Sequence, residues 1–343
     1  MTRNTICVID IGGTNFRCGV YSSGKVEVIE KRLTPNYYTV NEEVALKREI
    51  VNMIISSFKK VNHIYPVNSL AVCFPGPVTD SGDVLGSSVI FGKTLATPFP
   101  LKNNLEEALG EDDDIVDILV TNDLTASAWR YSDRYRSFCI ITVSSGIGNK
   151  IFSDGRVLVG ESGIHGEIGH YSADLNDLSI PCSCGWGKNH IGMISSGRGV
   201  EIIGKHFAQP AGRYRATFLM SSFAKAIDYD ETKITSELIA KFADQGDFFS
   251  QKVIGDCTKP LADAICLLAM AMYIEKFIII GGFALNCLYY MTALKENILQ
   301  RGIYNFKIAD IDEMLIYGEH DDDHGLIGLG KMIEWIATPH HKQ

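Results

Sequence analysis

Two stretches of this chain, one opening at residue 5 and the other at residue 138, read alike: an apolar strand, a glycine-bearing turn, then another strand. In the first, residues 5–10 and 16–22 flank Asp10-Ile11-Gly12-Gly13-Thr14-Asn15-Phe16-Arg17, and Ser22-Ser23-Gly24 turns the chain into a third strand over 25–33. In the second, residues 138–143 lead through Ser144-Ser145-Gly146-Ile147-Gly148 into a strand from Lys150, with a hairpin turn at Ser153-Asp154-Gly155. The repetition predicts a duplicated α/β architecture. A chain of 343 residues is long enough for two core-bearing domains, and a cleft between such halves is where ligands tend to bind.

The rest of the chain fills in helices and further strands. Apolar residues Leu46, Ile50, Met53, Ile54, Phe58 and Val61 recur at helical spacing, so a helix is expected over 41–61 with Asn41 as its cap. Strands are expected over 70–74, 115–120 and 277–280. Helices are expected over 101–109, within 216–275, from 288 and over 325–336. The net charge of -9 speaks against nucleic acid as a partner, because that needs a clustered positive surface. The apolar runs fall far short of the ~20 residues of a spanning helix, and the start Met-Thr-Arg-Asn lacks the pattern of a signal peptide, so a cytoplasmic protein without a membrane partner is expected. Seven of the nine cysteines sit singly in apolar stretches and read as buried small hydrophobes rather than a disulfide framework.

Five motifs carry chemistry. At Asp10–Arg17 a carboxylate ends a strand and Gly12-Gly13 lets the backbone approach a phosphate; successive N–H groups in such a turn bind anions, and Asp10 can hold Mg²⁺ directly or through water. A plain hairpin with a Gly-Gly turn explains the same residues. The turn Ser144–Gly148 offers a second phosphate cradle or, again, a simple turn. Thr121-Asn122-Asp123 ends a strand with an amide and a carboxylate side by side, suited to sugar hydroxyls and to taking the proton of an attacking hydroxyl; the plainer reading is a helix N-cap. In the glycine-rich run 160–170, Glu167 and His170 can reach sugar hydroxyls. Cys182-Ser183-Cys184, with His170 upstream and His190 downstream, suits tetrahedral zinc, the alternative being two free thiols.

Taken in order, Asp10–Arg17, Pro75-Gly76-Pro77, Asn122-Asp123, Ser144–Gly148, Glu167-Ile168-Gly169-His170, Cys182/Cys184, Ile280-Gly281-Gly282 and the run from Asp323 to Gly328 resemble the repressor/open-reading-frame/kinase (ROK) family of sugar kinases, which includes bacterial glucokinases. The resemblance implies a duplicated actin-like ATPase (ribonuclease H-like) fold with ATP and sugar in the cleft. It implies a small domain over 1–123 completed by a helix at 325–343, and a large domain over 124–324 carrying the zinc-type loop. ATP and Mg²⁺ would lie on Asp10, Gly12, Gly13, Thr14, Asn15, Ser145 and Gly146, with Gly281 and Gly282 near the adenosine. Asp123 would be the catalytic base. Asn122, Asp123, Glu167 and His170 would bind the sugar, and His170, Cys182, Cys184 and His190 would hold a structural zinc. The expected partners are a small-molecule sugar or sugar-like substrate and at most a second copy of the chain.

Three positions depart from the family pattern. The second phosphate turn usually begins Gly-Thr and here begins Ser144-Ser145. A third cysteine is replaced by Asn189-His190 with one extra residue. A glutamate that contacts the sugar near its anomeric end is replaced by Gly192. Phosphorylation of a hexose hydroxymethyl is therefore expected, glucose first, with an amino sugar or a C7-cyclitol as the alternative ring. A sugar-sensing regulator is disfavoured, since the family's repressors carry a helix-turn-helix ahead of the first phosphate turn, which here begins at Asp10.

Overall fold

The structure, a computed structural model, describes residues 5–110, 117–160, 165–174, 178–182 and 184–338. Residues 115–116 of the expected strand, 161–164 of the glycine-rich run, Ser183 and the end of the last domain segment, 339–343, lie outside the described residues. The chain divides into two compact units, one drawn from Met1–Arg136, Phe152–His165 and Asp321–Gln343, the other from Ser137–Ile151 and Gly166–His320.

The first unit is built on strands β1 (Ile6–Ile11), β2 (Asn15–Ser22), β3 (Lys25–Leu33), β4 (Ser69–Phe74) and β7 (Asp117–Asn122), ordered β3-β2-β1-β4-β7. The β1–β2 and β2–β3 pairs are antiparallel; β1–β4 and β4–β7 are parallel. Strand β1 is apolar on both faces because both are covered. Cys7, Ile9 and Ile11 pack with Leu46, Ile50 and Phe58 of the helix Glu43–Ile64. Ile6 and Val8 pack with Ala126 and with Leu326, Leu329 and Ile333 of the last helix, His324–Ile336. A pair that the sequence pattern does not announce, β5 (Val84–Ser87) and β6 (Lys93–Phe99), forms its own two-stranded sheet. The helix expected from Asn41 instead begins after Glu42, with no side-chain cap.

In the second sheet the order is β10-β9-β8-β11-β12, with β8 (Ser137–Val143), β9 (Ile147–Ser153), β10 (Arg156–Val157), β11 (Phe277–Ile280) and β12 (Leu315–Tyr317), where β8–β11 and β11–β12 are parallel. Cys139, Ile141, Val143, Phe277 and Ile279 meet Val253, Cys257, Leu261 and Ile265 of the helix Phe248–Met272 in one buried cluster. Helical structure begins earlier than the sequence suggested. Ser196 caps the helix Gly197–Ala208 by accepting from Gly199 N, ahead of the helical stretch expected within 216–275. Among the described residues no helix is long and apolar enough to cross a membrane.

Candidate active site

Asp10, next to last in β1, lies directly opposite Arg17 of β2, and the turn beyond closes through Gly12 N–H donating to Asn15 O at 2.8 Å. Thr14 and Asn15 are exposed at its tip. The Asp10 carboxylate is held on both oxygens: Arg17 Nη2 donates to Oδ2 at 2.5 Å and the Cys73 thiol to Oδ1 at 3.2 Å. Burial first, then the negative charge of Asp10 and Asp123, pushes Cys73 well up, so it stays a donor. The first turn of the last helix presses on the same group, since a Cβ placed at Gly325 would sit 3.2 Å from Asp10 Cγ. Asp10 keeps lone pairs for a water or a hard cation.

Asn122 and Asp123 stand where β7 becomes the helix Asp123–Trp129. The cap expected there is present. Asn122 Oδ1 accepts from Leu124 N and Thr125 N, both at 3.0 Å, and its Nδ2 donates to Gly76 O at 2.9 Å and to Asp123 Oδ1 at 2.8 Å. An amide has two donors and one acceptor oxygen, and all are engaged. Asn122 therefore orients Asp123 and ties it to the Pro75-Gly76-Pro77 turn; a sugar hydroxyl reaching Asn122 must displace one of these bonds.

In the second unit Ser144, Ser145 and Gly146 are exposed at the end of β8, with Ser144 N donating to Gly146 O at 3.0 Å. The helix Gly197–Ala208 starts against this turn, where Gly197 N donates to Ser144 O at 2.9 Å. Gly281 has φ +100° and its Cβ would lie 2.6 Å from Val143 O, so only glycine fits against the end of β8; Gly282 has open space around it.

Glu167 and His170 line one cavity of about 1000 Å³ with Asn149, Tyr171 and Ile191. Asn149 pins the turn that carries them: its N–H donates to Gly166 O at 3.2 Å and its Oδ1 accepts from Ile168 N at 3.1 Å, on either side of Glu167. His170, Cys182, Cys184 and His190 bring one ligand atom each within 4.8 Å of one another. His170 Nδ1 to His190 Nδ1 is 3.4 Å, Cys182 Sγ to His170 Nδ1 is 3.7 Å and Cys184 Sγ to His190 Nδ1 is 3.6 Å. Tetrahedral zinc, with its usual bond lengths to nitrogen and sulfur, has ligand edges of about 3.4 Å (N–N) and about 3.6 Å (N–S). The four side chains thus fit zinc, bound through both Nδ1 atoms. His170 Nε2 is left facing Glu167, 3.9 Å from Oε2, so one imidazole can serve the metal and an acceptor hydroxyl. Asn189 sets the loop: at φ +54° it accepts from Ile180 N at 2.8 Å and donates to Leu178 O at 2.7 Å.

Sequence reasoning did not single out Arg17, Cys73, Asn149 or Asn189 as site-building residues. Cys73 acts on a partner remote in the chain, and Asn149 and Asn189 act on main-chain atoms. Only Arg17, directly opposite Asp10 across a hairpin, left a signal, in the spacing of its own motif.

A family model described as ROK family matches residues 6–334. A C(7)-cyclitol 7-kinase of Streptomyces hygroscopicus subsp. limoneus is 32% identical over 336 residues, covering 95% of this chain and 93% of that protein. A glucokinase of Halalkalibacterium halodurans is 27% identical over 242 residues, 69% of this chain and 68% of that protein. Among solved structures, a ROK family glucokinase from Streptomyces griseus in complex with glucose and AMPPNP superposes with a TM-score of 0.69 at 20% identity, covering 95% of this chain and 97% of that one. This last likeness carries the actin-like ATPase fold.

Proposed function

The chain belongs to the ROK family, and we propose that it is an ATP-dependent kinase acting on the exocyclic hydroxymethyl of a six-membered polyol ring, a C7-cyclitol ahead of glucose. The observation that carries the kinase reading is Asp123, a carboxylate oriented by Asn122 at a strand end in the same unit as Asp10. The acceptor oxygen bonds to the γ-phosphorus of ATP as the bond from that phosphorus to the bridging oxygen breaks; ADP leaves and the hydroxyl proton passes to Asp123. Phosphoryl transfer asks mainly for placement and charge neutralisation, so a carboxylate near its ordinary acidity suffices as base. Asp10 would hold Mg²⁺, which when bound would supply neutralisation of the phosphate charge. Glu167 and His170 hold ring hydroxyls, and zinc on His170, Cys182, Cys184 and His190 would fix their loop without entering the chemistry.

Glucose leads from the motifs alone. Gly192 supports the cyclitol. A Cβ there would meet Gly169 O at 3.1 Å, and one at Gly169 would meet Ile147 O at 2.1 Å, so the backbone under the Glu167–His170 turn is packed too closely for the family's glutamate to enter without a shift. A ring that lacks an anomeric hydroxyl loses least from that missing acceptor, whose hydrogen bonds would contribute on the order of 1.5–3 kcal/mol each. The relative matched over nearly its whole length is likewise named for a C7-cyclitol. The test is kcat/KM across glucose, mannose, amino hexoses and C7-cyclitols with ATP and Mg²⁺. A lead for glucose of ~100-fold over every other ring returns the chain to the glucokinases.

A further inference from the structure

We propose that Arg17 is an exchangeable counter-ion: it neutralises Asp10 while no divalent cation is bound and passes to Asp323 when one binds. This rests on Asp10 being the carboxylate on the metal side of the nucleotide.

The guanidinium is already forked between the two carboxylates. Nη2 lies 2.5 Å from Asp10 Oδ2 and Nη1 lies 3.5 Å from Asp323 Oδ1. Arginine does not give up its proton, so it cannot leave Asp10 by becoming neutral. A cation approaching Oδ2 meets a positive charge at hydrogen-bond distance, where repulsion is strong in a site this enclosed; the Arg17 and Asp10 side chains are 13% and 15% exposed. The guanidinium has to move, and the second acceptor lies less than about 1 Å beyond bonding distance.

Asp323 is suited to receive it. It occupies the N-cap position of the last helix, yet its side chain makes no cap hydrogen bond, so the carboxylate is not committed there. The other oxygen of Asp10 is kept by the Cys73 thiol, so the exchange concerns Oδ2 alone. The last helix, whose second residue Gly325 abuts Asp10 Cγ, would be drawn tighter at its first turn as the cation arrives.

The full-length protein is titrated with Mn²⁺, followed by electron paramagnetic resonance, with and without ADP. Arg17→Gln removes the competing charge, so Mn²⁺ affinity without nucleotide should rise about tenfold, and the gain should vanish in the Asp10→Asn/Arg17→Gln double variant. Asp323→Asn removes the receiving carboxylate, so Mn²⁺ affinity with ADP should fall about tenfold. Asp323 is partly exposed, so this variant decides the matter if Arg17→Gln fails to fold. Unchanged or weaker Mn²⁺ binding in Arg17→Gln, or unchanged binding in Asp323→Asn, overturns the hand-over. If Asp10→Asn alone leaves wild-type Mn²⁺ binding intact, the placing of the metal at Asp10 is what fails, and the hand-over with it.

Discussion

The turns bearing Asp10 and Asp123 and the loop bearing Glu167 and His170 are held by different forces. Asp10 and Asp123 sit at the ends of paired strands, where main-chain hydrogen bonds of β1, β2, β4 and β7 run in continuous register up to the functional residue. Over 165–190 the described chain has one three-residue helical turn and two isolated bridges, Ser172 with His190 and Pro181 with Lys188. There, four side chains converge on one point instead. A strand end keeps its place when a neighbouring side chain is lost. A loop organised by ligands does not, because its few backbone bonds cannot offset the entropy of ordering it.

That contrast fixes what each substitution should do. The largest effect is expected at the strand end. Asp123→Ala should lower kcat by roughly 10²-fold or more while the far-ultraviolet circular dichroism and the melting curve stay close to wild type. Turnover within a few-fold of wild type would remove Asp123 as the base. In the loop, Cys184→Ser should empty the metal site, as elemental analysis would show, and raise the acceptor KM about tenfold with the ATP KM little changed. Unaltered metal content and acceptor KM would mean that the loop stands without its ligands.

Backbone fit at the second turn comes next. Gly281→Ala should cost roughly 1–3 kcal/mol in chemical denaturation, from the positive φ and the clash with Val143 O, and Gly282→Ala next to nothing. Equal costs at both positions would refute the close approach. The smallest effect concerns Asp321, whose carboxyl is pulled down to about 2, chiefly by hydrogen bonds from Arg130. A carboxyl depressed by folding stabilises above its unfolded value of about 3.9, and that contribution is lost as pH falls through about 2. Because Asp321 is nearly half exposed, Asp321→Asn should lower Tm by at most about 3 °C at pH 7, and the difference should close towards pH 2. A Tm difference independent of pH would place its origin elsewhere.

The sequence made the strand ends legible and the loop only half so. β1, β2, β3 and β11 lie within a residue of where apolar runs and turn residues place them. β5, β6 and β12 were missed: they are short or interrupted, β6 by Pro98, and carry little periodicity. The start of the helix Gly197–Ala208 was missed because Ser-Ser-Gly serves a cap and a loop equally well. The Cys182, Cys184, His170 and His190 set could be named from spacing. The scaffolding of Asn149 and Asn189 could not, because it lies in bonds to main-chain atoms that no residue type advertises. Asp323 meets Arg17 across nearly the whole chain, a distance over which no local pattern speaks.

Transfer of phosphate from ATP to an exocyclic hydroxymethyl can be read by ³¹P–¹H correlation spectroscopy of the product formed from ATP and Mg²⁺ with a C7-cyclitol or glucose. The expected product is a phosphate ester coupled to the two protons of the exocyclic carbon, formed by the wild type and not by Asp123→Ala over the same interval. ADP released without any ester, or an ester on a ring carbon, would contradict it.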